Sequence, residues 1–256
     1  MRALLLVMLL VISCGKNHSS HDQTPPPDRG PVTPPVVIDP PADVSPADFI
    51  RIPDLLPTTY YIAQEKRTNC KGKYGQTTYD GSERSQVRSP DGKVIATVCT
   101  RFYRVLTMEG SAVLNSRISI NYGGRVNNEP RFYVLNRCVY GEGVRRNLCL
   151  LPYHTLAADN KVHAIGDILY VPKVKGLLLP DGSVHEGYFI VRDTGGAFTG
   201  IGGKRVDMFT GLEPDYSNVF QRAGIHHKNP MEAYKIKGDS AELVKDRLKE
   251  RFGDLY

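Results

Sequence analysis

The stretch Arg192-Asp193-Thr194-Gly195-Gly196-Ala197-Phe198-Thr199-Gly200 leads, after Ile201-Gly202-Gly203, into Lys204-Arg205-Val206-Asp207-Met208-Phe209. It sets two carboxylates on neighbouring β-runs, joined by a loop rich in glycine. Glycine admits left-handed backbone angles and lets another chain approach closely, as the floor of a groove requires. Asp207 lies between Val206 and Met208 and points away from both, in a strand where aspartate is disfavoured. A carboxylate at each edge of such a floor is the minimal equipment for acid/base work on a sugar or an ester.

Working outward, the runs Val98–Thr107, Arg117–Tyr122, Arg131–Leu135, Asp167–Pro172, Gly187–Arg192 and Arg205–Phe209 are expected to be strands. Pro180-Asp181-Gly182-Ser183 is a turn, with Pro and Gly where a tight turn wants them. It joins Ile168-Leu169-Tyr170-Val171 to Tyr188-Phe189-Ile190-Val191, runs apolar enough to be covered on both faces. Many short strands with glycine corners predict a small closed barrel. The segment Thr58–Thr97 is expected to form an extension wrapped on that barrel. A C-terminal helix is expected over 239–252, capped by Asp239 with Glu242 three residues on and stopped by Gly253. Its inward stripe would be Leu243, Val244, Leu248 and Phe252.

The ends of the chain add a location. Arg2 is followed by the apolar run Ala3–Ile12, too short to span a bilayer but long enough for the core of a secretion signal. Val11-Ile12-Ser13-Cys14 resembles the bacterial lipobox, which implies cleavage after residue 13 and lipid on Cys14, enough to hold the protein to a membrane. Gly15 beside it, not Asp, points to the outer membrane by the enteric sorting rule. Eleven of the 18 prolines fall between Pro25 and Pro57, so residues 14–57 are expected to be a tether that cannot bury a core. The folded domain is then expected over 58–256.

The formal charge of +6 comes from 33 basic against 27 acidic residues spread along the chain, without the clustering of a nucleic-acid surface. Cys70, Cys99, Cys138 and Cys149 make an even set in an exported chain, which reads as two disulfides. The turn-like Tyr140-Gly141-Glu142-Gly143 between Cys138 and Cys149 favours that pair, leaving Cys70 with Cys99. Their spacing matches no zinc pattern, and no cofactor is called for.

Asp159-Asn160-Lys161-Val162-His163-Ala164-Ile165-Gly166-Asp167-Ile168-Leu169-Tyr170-Val171, followed by Asp193-Thr194-Gly195-Gly196 and Arg205-Val206-Asp207-Met208-Phe209, resembles the three-aspartate (3D) domain. That domain occurs in the catalytic barrel of membrane-bound lytic transglycosylase A and related cell-wall enzymes. The likeness runs from about Phe102 to Phe209 and implies a mainly β chain folded as a double-psi β-barrel. It implies a lyase in the cell envelope, acting on peptidoglycan glycan strands without a metal and as a monomer. By matching position the three aspartates are Asp159, Asp193 and Asp207, with Asp207 as general acid and then base. Thr194, Gly195, Gly196 and Gly200 would line the sugar groove. The loop Ile201–Lys204 makes the gap from Asp193 to Asp207 about three residues longer than the family pattern. There is no room for the full second domain that the larger enzymes insert between barrel strands. Two rival readings remain: a hydrolase using a second carboxylate, for which Glu109 and Glu142 are candidates, and a wall-binding barrel without catalysis. Tyr103 and Tyr140 could stack on sugars, although Tyr103 reads better as core.

Overall fold

The computed structural model describes residues 44–214 and 217–256. The lipobox, Cys14 and most of the expected tether lie outside the described residues. The chain is followed from β1 (Phe49–Tyr60), a strand that holds Pro53 and Pro57. Proline cannot donate to a ladder. The strand accommodates this by changing partner, with a register shift between Ile52 and Leu55 and Asp54 at φ 56°. The tether expected to run to Pro57 therefore ends earlier, because Phe49–Tyr60 are paired.

After β1 come β2 (Ala63–Gln64), β3 (Gly72–Tyr74), β4 (Thr77–Tyr79), β5 (Arg84–Arg88), β6 (Val94–Cys99) and helix α1 (Thr100–Glu109). Strands β7 (Ser111–Val113), β8 (Ser119–Val126) and β9 (Glu129–Val134) follow. The rest comprises β10 (Thr155–Ala158), β11 (Ile168–Tyr170), β12 (Tyr188–Asp193), β13 (Arg205–Phe209), the one-turn α2 (Val219–Arg222), β14 (Met231–Ile236) and α3 (Gly238–Phe252).

Strands β1, β13, β10, β12, β11 and β14 pair in that order and return to β1, closing a barrel. The β1–β13 and β10–β12 contacts are parallel; the other four are antiparallel. Leu55, Leu156, Ala158, Leu169, Phe189, Val191, Val206, Met208 and Ala233 belong to one buried cluster inside it. On the outside, Ile168, Tyr170, Tyr188, Ile190 and Ile236 pack with Ala241, Val244 and Leu248 of α3. That is why the two apolar runs of β11 and β12 do not alternate: both of their faces are covered.

Helix α3 departs from its expected start and stripe. Its N-cap is Lys237, without a side-chain cap, and Asp239 sits in the first turn, where negative charge still favours the helix dipole. Leu243 is 36% exposed, and Ser240 and Ala241 turn inward in its place. Burying Val244 and Leu248 stabilises the helix by about 1.5–3 kcal/mol each.

The largest departure lies between β1 and β10. No full inserted domain was expected there, yet these residues form a lobe. Its sheet runs β2-β7-β8-β9, and α1 packs into a core of its own with Val98, Phe102, Leu106, Ile120 and Phe132. The expected strand at Val98–Thr107 is in fact the end of β6 and most of α1. Phe102 and Leu106 are four residues apart, and both are fully buried. Their helical spacing outweighs the β-rich composition of the run. Gly110 ends the helix at φ 81°, donating to Leu106 O at 2.9 Å. Residues 63–97 belong to this lobe and do not wrap the barrel. The disulfides are Cys70–Cys99 and Cys138–Cys149, as the spacing favoured. The first joins two parts of the lobe, and the second closes a loop on the chain's return to the barrel.

Candidate active site

Strand β10 puts the two aspartates of the opening motif on either side of one small residue. Ala157 pairs with Asp193 of parallel β12 on one edge and with Asp207 of antiparallel β13 on the other. Two inter-strand steps separate the aspartate Cα atoms by about 10 Å, with all three side chains on one face. Alanine between them keeps the floor low. In β13 the neighbours of Asp207, Val206 and Met208, point into the barrel core, so Asp207 points out.

Asp193 reaches that face through a bulge. Val191 pairs with Leu156 in the interior, and strict alternation would send residue 193 inward as well. The register shifts by one residue between Leu156 and Ala157, so β12 spends an extra residue and Asp193 comes out beside Ala157. Bulges commonly re-aim side chains in this way.

The same face of β1 carries Thr58, opposite Asp207, and Tyr60, whose ring lies 5.0 Å from that of Phe209. Burial pushes the Asp193 carboxyl up to about 6, and the charge of Asp207 adds to the rise. Donation from Thr194 N at 2.9 Å and the phenol of Tyr60 beside it hold the value down. Burial and the two aspartates push the Tyr60 hydroxyl well above its usual range, so it stays protonated.

The glycine loop closes over this floor. Phe198 folds back on Gly195, where an added Cβ would lie 2.9 Å from its ring. It joins Tyr60, Ile62, Leu150, Ala157 and Phe209 in a buried cluster, with Tyr140 packed against it. Thr194 and Gly195 border the floor, while Gly196 begins the short 3-10 turn that ends at Phe198. Gly200 stands further along the loop at φ 81°.

Asp159 is brought to the same loops but is occupied there. It is 5% exposed. One oxygen accepts from Lys161 N at 3.1 Å and the other from Gly200 N at 3.3 Å. Its geometry is that of a loop organiser. His163, which the sequence reading did not single out, donates through Nε2 to Gly203 O at 2.8 Å. Gly203 lies so close that a Cβ there would come within 2.5 Å of Val162. Asp159 and His163 thus pin the long Ile201–Lys204 loop. Beyond that loop, Arg205–Phe209 pair with Leu56–Tyr60 of β1.

The other candidates separate. Glu109, at the end of α1, accepts from Tyr61 N at 3.1 Å and ties the lobe to the strand that bears Tyr60. Glu142 is 7% exposed and accepts from Tyr133 Oη at 2.6 Å, away from the aspartate pair. Tyr103 packs edge-on against Phe132 in the lobe core, as expected. Tyr60, Thr58 and Ala157 were missed because only cross-strand pairing places them here.

Residues 154–235 match the sequence model of the 3D domain. The chain carries a 3D domain. All three aspartates fall within it, whereas the likeness was expected to begin near Phe102; Phe102–Val134 belong to the inserted lobe instead. No curated protein matches the chain. Among solved structures it is similar to MltA of E. coli with bound chitohexaose, at 13% identity over 72% of each chain and a TM-score of 0.43. A membrane-bound lytic murein transglycosylase of Agrobacterium tumefaciens is similar at 12% identity over 78% of each chain and a TM-score of 0.43. The lytic transglycosylase LtgG of Burkholderia pseudomallei is similar at 16% identity over 71% of each chain and a TM-score of 0.35.

Proposed function

We propose that the protein is a peptidoglycan lytic transglycosylase that cleaves the β-1,4 bond between N-acetylmuramic acid and N-acetylglucosamine. The observation that carries this reading is the pair Asp193 and Asp207 flanking Ala157 on one face of the 3D domain. Cleavage needs a proton on the leaving O4, and a positioned carboxylic acid that supplies it contributes about 10²–10⁴ in rate. Asp207 gives that proton. As a carboxylate it then takes the proton of the C6 hydroxyl, whose oxygen closes on C1 to leave a 1,6-anhydro end. Asp193, with its carboxyl pushed up to about 6, keeps a proton on the pair toward neutral pH. Thr194, Gly195, Gly196 and Gly200 border the glycan. Asp159 sets their loop and does not touch the proton path.

The barrel's two parallel and four antiparallel contacts are read here as the double-psi arrangement. The chain is read as a lipoprotein, with a signal over 1–13, lipid on Cys14, a short proline-rich tether and residence at the outer membrane facing the periplasm. Mass spectrometry of the products released from purified sacculi tests the reaction. Anhydro-muramyl ends support it, and reducing ends favour a hydrolase. Binding without soluble product favours a wall-binding barrel. Undiminished release by Asp207→Asn overturns the role of Asp207.

A further inference from the structure

Arg205 stands two residues before Asp207 on the same face of β13, about 6.6 Å away between Cα atoms. Its guanidinium lies 5.9 Å from the ring centre of Phe198, at the rim of the glycine loop. Among the described residues it makes no ion pair and no hydrogen bond, and its Nε–H is buried without an acceptor. Three other arginines also bury an Nε–H without a partner, but their terminal nitrogens are engaged. Arg101 donates to Asn69 O, Arg131 pairs with Glu129 at 3.0 Å, and Arg192 donates to Cys149 O at 2.7 Å. Arg205 alone of the four has no partner for its terminal nitrogens among the described residues, and it projects from the face of β13 that bears Asp207. A buried donor without an acceptor costs stability, and a ligand that supplies an acceptor removes that cost.

We infer that Arg205 binds the free lactyl carboxylate on C3 of the muramic acid ring whose bond is cut, where that ring carries no peptide. The inference rests on the proposed reaction and adds what the site reads in its substrate. A planar fork suits a carboxylate, and C3 lies on the same ring as the reacting C1. A chain of N-acetylglucosamine alone has only a hydroxyl at that carbon. Arg205 therefore makes the site prefer peptide-free muramyl glycan to chitin-like glycan.

The test compares wild type, Arg205→Ala and Arg205→Lys on naked glycan strands stripped of peptide, with chitohexaose binding as control. Arg205→Ala should lower kcat/KM on the naked strands by about tenfold, mainly through KM, and leave chitohexaose affinity within about twofold. Arg205→Lys should recover part of the loss, because it keeps the charge but not the fork. Methyl esterification of the lactyl carboxylates should lower the wild-type rate and leave that of Arg205→Ala unmoved. Equal losses on both glycans, or unchanged rates on naked strands, would overturn the inference while the reaction stood. A wild-type protein that releases no soluble product from sacculi would instead remove the reaction itself.

Discussion

Near the two ends of β10 lie titratable groups that burial pushes in opposite directions. Beside the start of the strand, the His154 ring stacks on that of His185 with centroids 4.6 Å apart. Burial drives His154 down to about 4 and His185 well below its usual value. Around Ala157 near the other end, burial drives Asp193 up to about 6. Both places favour the uncharged form. They differ in where the polar atoms are satisfied. His185 donates from Nε2 to Tyr153 O at 2.7 Å and accepts at Nδ1 from Gly187 N at 2.8 Å, and Phe189, Phe220 and Phe252 close around the pair. The aspartates border a loop of glycines on the outer face. A buried proton with inward partners serves the fold; one that faces a groove can be exchanged with a ligand.

Four experiments bear on that contrast. The largest effect belongs to Asp207→Asn, which should lower the release of anhydro-muropeptides by about 10²–10⁴ while the thermal midpoint stays put. If His185→Ala caused a comparable loss of activity per folded molecule, the contrast would fail. His185→Ala should instead lower the unfolding free energy by about 3 kcal/mol in urea, since it opens a cavity and leaves Tyr153 O and Gly187 N unpaired.

The third effect is on the pH slope of stability, and the two ends have opposite signs. The folded His154 binds its proton less tightly than the unfolded one, so between pH 4 and 6.5 the unfolded chain holds more protons and stability rises with pH. Asp193 is raised from 3.8 to about 6, so across that range the folded chain holds more protons and its contribution is lost as pH rises. Each titrating group is worth about 1.4 kcal/mol per pH unit where its two states differ by a proton. Asp193→Asn should therefore steepen the rise of stability between pH 4.5 and 5.5 by about that amount, as read from urea unfolding at several pH values. An unchanged slope would mean that Asp193 is not held neutral. The smallest effect is that of Tyr60→Phe. Removing the phenol that helps hold Asp193 down should move the alkaline limb of the pH–rate profile to higher pH, with little change at the optimum.

Part of the geometry was legible in the residues. Asp207 points away from its buried neighbours Val206 and Met208, and the two cysteine pairs form as read. Local pattern misled where tertiary contacts outweighed composition. The run from Val98 to Thr107 looks like a strand, but its Phe102–Leu106 spacing is satisfied only against the sheet of the lobe. The lobe itself went unseen because strands of two or three residues leave almost no period to detect. The N-terminal boundary was misplaced because prolines that mark a tether also sit in β1 where it changes partner. Glu142 read as a candidate second carboxylate, because only tertiary contact brings Tyr133 of β9 to it.

The sequence alone determined which residue types could carry a proton and that glycine must separate them, because side-chain chemistry and backbone freedom are local properties. Tertiary structure decided which face they share. A bulge in β12 turns Asp193 outward, Ala157 sets its distance from Asp207, and Asp159 and His163 hold the loop that leads into β13. These are matters of strand register, and register depends on partners far away in the chain.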